Sequence, residues 1–200
     1  MPRHLRTFAT NLALAFIFAL FAAAHAQQFA VEPRLSLILL VGMEAALVVF
    51  FLIRKAPDQT WHSWQTWLTT GAGTIFPLLL RPLAGADDVL IGQLVQTAGV
   101  ALQVAAVLSL NKAMGLLPAH RSIKTGGLYR FVRHPLYAAH TVALVGYLLN
   151  NLSAYNIAII VAGTAFQILR IRNEESLLRG YPDYAAFAGR TRWRLVPFVW

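Results

Sequence analysis

The chain contains no cysteine among its 200 residues. This absence excludes disulfide bonds, thiolate metal ligands and cysteine nucleophiles. Charge is scarce as well, because only 12% of the residues are charged, and eight acidic residues stand against 17 lysines and arginines. The sequence also lacks internal repeats and low-complexity linkers, so nothing in it divides the chain into separate folding units.

Apolar residues are abundant: 58% of the chain is hydrophobic and the mean hydropathy is +0.57. A soluble protein of this size could not bury so much apolar surface, so the composition predicts an integral membrane protein. The net charge of +9 could suggest a nucleic-acid binder. The basic residues, however, form short blocks between apolar runs, as juxtamembrane anchors do. We therefore expect the lipid bilayer, and no nucleic acid, as a partner.

Six apolar runs predict an all-α, polytopic membrane protein with about six transmembrane helices. They are Phe8–Ala26, Ser36–Ile53, Trp67–Leu80, Val89–Leu110, Pro135–Leu149 and Asn156–Leu169. The third run is short and contains Gly71, Gly73 and Pro77. The segment Asn150–Tyr155 predicts a tight hairpin between the last two spans.

The distribution of basic residues predicts the topology. With six spans and a cytosolic amino terminus, fifteen of the seventeen lysines and arginines face the cytosol, and only Arg34 and Arg81 lie outside. Omitting the third span would place Lys112–Arg133 opposite Arg54-Lys55, against the positive-inside rule. We expect a cytoplasmic carboxyl terminus and a bacterial inner membrane.

The amino-terminal segment has a second interpretation. A basic start, an apolar run and then Ala24-His25-Ala26 also fit a cleavable signal peptide, which would leave five spans. We favour a retained first helix, because the apolar run is long for a signal peptide.

Residues 1–109 predict a transmembrane scaffold, and residues 110–200 a cytosolic-side catalytic region that contains the last two spans. The two parts form one integrated membrane domain. Within the scaffold, Glu44 lies mid-span, and we favour a protonated Glu hydrogen-bonded between helices over a functional residue that lines a substrate path or pairs helices. Gln93, Gln96 and Gln103 share one helix face, which predicts hydrogen bonds between helices more than a binding surface. For His140, likewise, a structural role between helices is favoured over a functional one.

The segment Lys124–Tyr137 contains glycines, tyrosines and basic residues just before the fifth span and in its first turn. Its glycines allow a ligand to approach the backbone closely, its tyrosines offer rings for stacking, and Pro135 suits the first turn of a helix. A basic loop anchored to lipid headgroups would look similar.

A second polar segment ends the sixth span, at Arg170–Glu175. Arg170 and Glu174 share a helix face and could form an ion pair of little consequence. Together with the Lys124–Tyr137 segment, however, the two carboxylates predict a polar pocket. Such a pocket suits a zwitterionic ligand that carries an ammonium and a carboxylate. The following residues predict a short helix starting at Pro182 and an interfacial tail over 190–198.

These patterns resemble the isoprenylcysteine carboxyl methyltransferase family of membrane enzymes, which includes bacterial relatives and phospholipid methyltransferases. The resemblance rests on G-x-Y-x-x-x-R-H-P-x-Y at Gly127–Tyr137 and R-x-R-x-E-E at Arg170–Glu175. It continues through Tyr181 and Tyr184 to Arg194–Pro197. It covers slightly under half of the chain, and residues 1–109 match only as generic apolar helices.

The resemblance implies S-adenosyl-L-methionine as cofactor and no metal. It implies Arg170 and Glu174 as catalytic residues, with Arg170 also contacting the methyl acceptor. The cofactor contacts that it implies are Arg121, Ser122, Ile123, Lys124, Gly127, Tyr129, Arg133, His134, Pro135, Leu136, Tyr137, Glu174 and Glu175. A compact tail distinguishes the chain from the eukaryotic prenylcysteine enzymes and weighs against a prenylated-protein substrate.

The expected reaction is O-methylation of a small lipidic or isoprenoid carboxylate, because a guanidinium suits a carboxylate and no general base is then required. One alternative is amine N-methylation of a phospholipid. Others are an NADPH-dependent membrane reductase of the steroid-reductase type, which the two carboxylates disfavour, and a non-enzymatic scaffold. The sequence carries no signal of an oligomeric state.

Overall fold

The computed structural model describes residues 3–53, 64–110, 123 and 125–200, and for 3–7 and 110 it describes the backbone only. Seven α-helices and no strand occur in these described segments, which confirms the all-α prediction. The helices are α1 (Arg3–Val31), α2 (Leu35–Ile53), α3 (Trp64–Ile75), α4 (Leu90–Leu110), α5 (Pro135–Asn150), α6 (Ala154–Leu178) and α7 (Pro182–Arg190). Short 3-10 helices follow α3 at Phe76–Leu79 and precede α5 at Gly127–Arg130.

Four of the described helices are long and apolar enough to cross a membrane, namely Phe8–Val31 of α1, α2, Leu90–Ser109 of α4, and α6. The protein is therefore an integral membrane protein. The other two predicted spans also fold as helices but are shorter. The 16 residues of α5 rise only about 24 Å, against a hydrocarbon core of about 30 Å. The count of six spans and the orientation stay predictions.

Helix α1 packs against α2 and continues beyond the predicted end of its span. Ala15 and Phe18 meet Phe51 in one apolar cluster, and the rings of Phe18 and Phe51 lie 5.4 Å apart. Ala24-His25-Ala26 lies inside α1, and the His25 side chain is buried beside Glu44 of α2. The prediction that Glu44 is hydrogen-bonded between helices is thus confirmed.

The tight turn between α5 and α6 is held by asparagine side chains. The Asn151 side-chain oxygen accepts hydrogen bonds from Arg34 Nη2 and from the Leu83 backbone N–H, both at 3.0 Å. The Asn150 side-chain oxygen accepts the Val89 backbone N–H at 3.0 Å. These bonds satisfy backbone groups of the non-helical segment before α4, which would otherwise be costly to leave unpaired near the membrane. The predicted hairpin is confirmed.

Gln96 joins three helices, as the glutamine face of α4 predicts. Its amide nitrogen donates to the Ser36 carbonyl of α2 at 2.9 Å, and its oxygen accepts from Asn150 of α5 at 3.4 Å. Gln103, two turns further along α4, instead lines a cavity.

Helices α4 and α5 approach each other at two glycines. A Cβ atom at Gly99 would overlap the backbone nitrogen of Ala143, and one at Gly146 would overlap the backbone nitrogen of Gln96. Close approach of small residues is the usual means by which membrane helices pack, because the bilayer supplies no hydrophobic force between them.

We expect Gly99→Ala and Gly146→Ala each to destabilise the protein by about 1–3 kcal/mol, the usual penalty of overpacking a close contact. Thermal unfolding in detergent, followed by tryptophan fluorescence, measures the change. Gly71→Ala in α3 is the control, since a Cβ there meets nothing within 4 Å. Equal melting temperatures for all three variants would contradict the proposed close packing.

Candidate functional site

The adjacent carboxylates at the end of α6 lie in different surroundings. Successive residues of an α-helix point about 100° apart, so Glu174 and Glu175 cannot face the same partner. Glu175 is buried, with 2% of its surface exposed, whereas Glu174 is half-buried. The two residues of the predicted carboxylate pair therefore have separate roles.

Glu175 is the centre of an ionic cluster that we call the Glu175 cluster, formed with Arg133, His134, Arg179 and Arg194. Its Oε1 accepts from Arg133 Nε at 2.7 Å and lies 3.3 Å from His134 Nε2. Its Oε2 accepts from Arg194 Nε at 2.8 Å, and the exposed Arg179 guanidinium lies 3.5 Å away. Both carboxylate oxygens are thus already engaged by protein groups.

The carboxyl-terminal tail closes over the same cluster. The backbone N–H groups of Arg133 and His134 donate to the carbonyls of Trp193 and Arg194 at 2.8 and 2.9 Å. Arg133 Nη1 also donates to the Thr191 carbonyl at 3.1 Å. Proline disfavours helical backbone at the residue before it, and His134 has a φ of −124° and a ψ of 58°. These N–H groups therefore lie outside α5 and remain available to the tail.

Tyr137 connects the two residues predicted to be catalytic. Its hydroxyl donates to Glu174 Oε2 at 3.2 Å, and the Arg170 guanidinium lies over its ring, 5.1 Å from the ring centre. The His134 ring stacks on it at 5.7 Å with an interplanar angle of 14°. Gln167 donates to the Tyr137 carbonyl at 3.3 Å and fixes this turn of α5. The structure therefore brings together His134, Tyr137, Arg170 and Glu174.

An apolar cavity extends from Tyr137 and Arg170 into the helix bundle. Its other lining residues are Phe18, Leu40, Met43, Glu44, Leu47, Phe50, Phe51, Gly73, Thr74, Pro77, Leu78, Gln103, Leu136, His140, Leu144 and Gln167. A second cavity lies between α2 and α4, and Met43, Leu47, Phe50, Gln103 and Leu136 line both. The Tyr137–Arg170 end is thus continuous with apolar space between the spans.

The remaining predicted cofactor contacts fall into four groups, the last of which surrounds Tyr129. Arg121, Ser122 and Lys124 lie outside the described residues. Pro135 starts α5, and Leu136 faces the cavity. Gly127 has a φ of +59°, and a Cβ there would overlap the Ser109 hydroxyl. Backbone conformation and packing together therefore explain the glycine at this position.

Tyr129 lies in an apolar cluster beneath the loop. Its ring packs with Leu178, Tyr184 and Phe187, and Ile123 packs against the same cluster. Burial raises the pKa of Tyr129, as do the neighbouring Tyr137 and Glu174, and burial also raises that of Tyr184. Both phenols therefore stay protonated. A cofactor contact through Tyr129 or Ile123 stays a prediction, and the observed packing is structural.

The structure adds residues that the sequence did not assign to the site. Arg194 and Thr191 hold the Arg133-His134 segment in place, and Gln167 holds Tyr137. The sequence predicted only an interfacial tail, because no local pattern specifies which carboxylate an arginine 19 residues away will bind. The R-L-V-P motif that begins at Arg194 was the available signal.

Comparison with known proteins shows a family that the second half of the chain is similar to. The model of the Isoprenylcysteine carboxyl methyltransferase (ICMT) family matches residues 86–180. The match covers α4, α5 and α6, including Arg133–Tyr137 and Arg170–Glu175, and ends before α7 and the tail. None of the curated proteins matches the chain.

We expect Glu175→Gln to destabilise the protein by about 3 kcal/mol or more, because it leaves the buried Arg133 guanidinium without its carboxylate. The tail should also detach from the Arg133-His134 segment, so that trypsin cleaves after Arg192 and Arg194 at an increased rate. Melting temperature and limited proteolysis measure the two effects.

Glu174→Gln is the matched control at the neighbouring residue, and it should leave both properties close to those of the parent protein. If the two variants melt and are cleaved alike, Glu175 does not hold the tail.

Proposed function

Because the chain is isoprenylcysteine carboxyl methyltransferase-like, we propose that it uses S-adenosyl-L-methionine to methylate a lipidic acceptor at the cytosolic side of the membrane. The observation that carries this proposal is the position of Tyr137. It lies between Glu174, which suits a cationic or hydroxyl-bearing ligand, and Arg170, at one end of an apolar cavity.

The residues around Tyr137 suit the chemistry of the cofactor. Glu174 uses one oxygen for Tyr137, and its other oxygen makes no hydrogen bond with the residues that the structure describes. That oxygen would accept a hydrogen bond from the ammonium or a ribose hydroxyl of the cofactor. Gly126 leaves open space beside the backbone, since a Cβ there meets nothing within 4 Å. When bound, the cofactor would supply an electrophilic methyl group on its sulfonium.

Arg170 is the residue that we assign to the methyl acceptor. It is buried, with 7% of its surface exposed, and it lines the apolar cavity. A guanidinium presents a planar fork of donors that matches a carboxylate. By holding the carboxylate in one orientation within a water-poor site, Arg170 would favour direct displacement at the methyl group. A carboxylate needs no proton removed before it reacts.

The apolar cavities support a lipidic or isoprenoid acceptor. The cavity beside Arg170 shares a wall with the one between α2 and α4, so a hydrocarbon chain has apolar surroundings on both sides of Leu136 and Gln103. Such a ligand would reach the site from within the bilayer. We place the site on the cytosolic face of a bacterial inner membrane, with a cytoplasmic carboxyl terminus, since the basic residues concentrate there.

One observation favours amine N-methylation of a phospholipid as the second candidate. His140 lines the same cavity near Arg170 and makes no hydrogen bond with the described residues. An ammonium acceptor must lose a proton before methyl transfer, and an imidazole is the side chain that most often takes it. The chemical stability of the methylated product separates the candidates, since an ester is cleaved by mild base and a methylamine is not.

We expect calorimetric titration of the purified protein to show saturable binding of S-adenosylhomocysteine and none of NADPH. The Glu174 carboxylate, which is bonded only to Tyr137 among the described residues, opposes the phosphates of NADPH but suits the ammonium of S-adenosylhomocysteine. Binding of NADPH alone would instead support a membrane reductase. Failure to bind either compound would support a non-enzymatic scaffold.

Glu174→Gln and Arg170→Lys should fail in different ways. Glu174→Gln keeps the shape of the side chain and removes its charge, so cofactor affinity should fall. Arg170→Lys keeps the charge and loses the planar fork, so it should spare cofactor binding and lower turnover. Each loss should be roughly ten- to a hundredfold, as expected for one charge-assisted hydrogen bond.

The measurements are titration with S-adenosylhomocysteine and transfer of a radiolabelled methyl group to an extract of bacterial membrane lipids. If both variants bind and turn over like the parent protein and differ only in melting temperature, Arg170 and Glu174 are structural and the active site lies elsewhere.

A further inference from the structure

The cavity that begins at Arg170 contains an ionisable pair deeper in the membrane. Glu44 of α2 lines this cavity, and both of its carboxylate oxygens lie 3.0 Å from Nδ1 of His25 in α1. His25 and Glu44 are buried, with 6% and 3% of their surfaces exposed. The pair lies outside the region matched by the family model, and the proposed methyl transfer does not use it.

Hydrogen-bond geometry fixes the number of protons on this pair. Nε2 of His25 lies 3.3 Å from the Leu80 carbonyl, which can only accept, so Nε2 carries a proton. One further proton lies between Nδ1 and the Glu44 carboxyl group, whichever of the two holds it. A carboxyl group offers about four lone-pair positions, and His25 occupies one side of it. Glu44 therefore keeps acceptor capacity toward the cavity.

Two more oxygen atoms at the cavity wall lack a partner. The amide oxygen of Gln103 and the hydroxyl oxygen of Thr74 are buried and make no hydrogen bond with the described residues. Buried polar atoms at membrane depth are costly to leave unsatisfied. The wall thus offers the acceptors of Glu44 and Gln103 in surroundings that are otherwise mostly apolar.

These polar atoms lie along a cavity of considerable length. The cavity-lining residues of α2 extend from Leu40 to Phe51, a rise of about 16 Å along the helix. Glu44 is one turn from the Leu40 end. On α5 the lining residues extend from Leu136 to Leu144, so the wall continues about 10 Å beyond Tyr137. A chain whose head lies at Tyr137 and Arg170 would place its tail beside Glu44.

We propose that the acceptor carries a second polar group, a hydrogen-bond donor such as a hydroxyl or amide N–H in its tail, which Glu44 recognises with the help of Gln103. The substrate class is then a functionalised amphiphile with a carboxylate head and a donor within the chain, and not a plain hydrocarbon or isoprenoid tail. This inference rests on the proposed function, because it takes the acceptor to lie in this cavity. His25 positions Glu44 and does not touch the ligand.

The test compares dodecanoic acid with its monohydroxylated isomers, with the hydroxyl placed at successive carbons along the chain. Binding is measured by displacement of a fluorescent fatty acid from the full-length protein in lipid nanodiscs, without cofactor. At least one mid-chain hydroxy isomer should bind about tenfold more tightly than dodecanoic acid, as expected for one hydrogen bond to an otherwise unsatisfied buried acceptor.

The informative variant replaces both members of the pair, His25→Leu with Glu44→Leu, because apolar replacement of a whole buried pair is usually tolerated. It should lose the preference for the hydroxy isomer and bind dodecanoic acid at least as well as the parent protein. Glu44→Gln, which keeps an acceptor oxygen, should retain part of the preference and serves if the double variant does not fold. Ala45→Leu, on the exposed side of α2, is the matched control and should keep the full preference.

The proposal is overturned if no hydroxy isomer binds more tightly than dodecanoic acid. It is also overturned by an unchanged preference in the Leu/Leu variant, which would place the recognition elsewhere, and by displacement by none of the acids. These outcomes are separate from failure of the proposed function. A protein that binds no S-adenosylhomocysteine refutes methyl transfer, whereas the tail preference is measured without cofactor.

Discussion

The arrangement of the cytosolic end depends on one buried carboxylate, that of Glu175. It binds Arg133 from the loop before α5 and Arg194 from the tail, so three segments far apart in sequence meet at one charge. A carboxylate buried at a membrane boundary is costly unless cations and hydrogen bonds compensate it. The loop, the tail and α6 must therefore assemble together. Once they do, His134 and Tyr137 have fixed positions on the first turn of α5.

This constraint explains why two adjacent glutamates can serve different purposes. Glu175 faces inward, and both of its oxygens bind protein groups. Its neighbour Glu174 is half-buried and bonds only to Tyr137 among the residues that the structure describes. A site for a charged ligand needs a carboxylate that is held but not saturated. The rotation of about 100° per helical residue gives the chain both kinds of carboxylate within two positions.

Local patterns in the sequence predicted the helices and turns better than the site. The start of α5 at Pro135, the start of α7 at Pro182 and the hairpin after Asn150 all follow from backbone preferences that a few neighbouring residues determine. The role of Glu175 could not be predicted in this way, because burial at the end of α6 depends on where the tail packs. Likewise, Gln96 and Gln103 share a face of α4, yet one bonds to two helices and the other lines a cavity. Only the neighbouring helices decide between these outcomes.

The polar residues between the helices differ in whether they can still bind a ligand. Gln96 and Asn150 bond to each other and to backbone groups, and neither lines the cavity beside Arg170, which is the arrangement expected of side chains that join helices. Glu44 is also paired, with His25, but the single proton shared between them cannot saturate the lone pairs of two carboxyl oxygens. The two cases differ in whether a hydrogen-bond acceptor position remains toward the cavity after the bonds to protein groups are counted. Few hydrogen-bond donors are present inside the membrane. A buried acceptor that still has a free lone pair toward a cavity therefore favours a ligand that carries a hydrogen-bond donor.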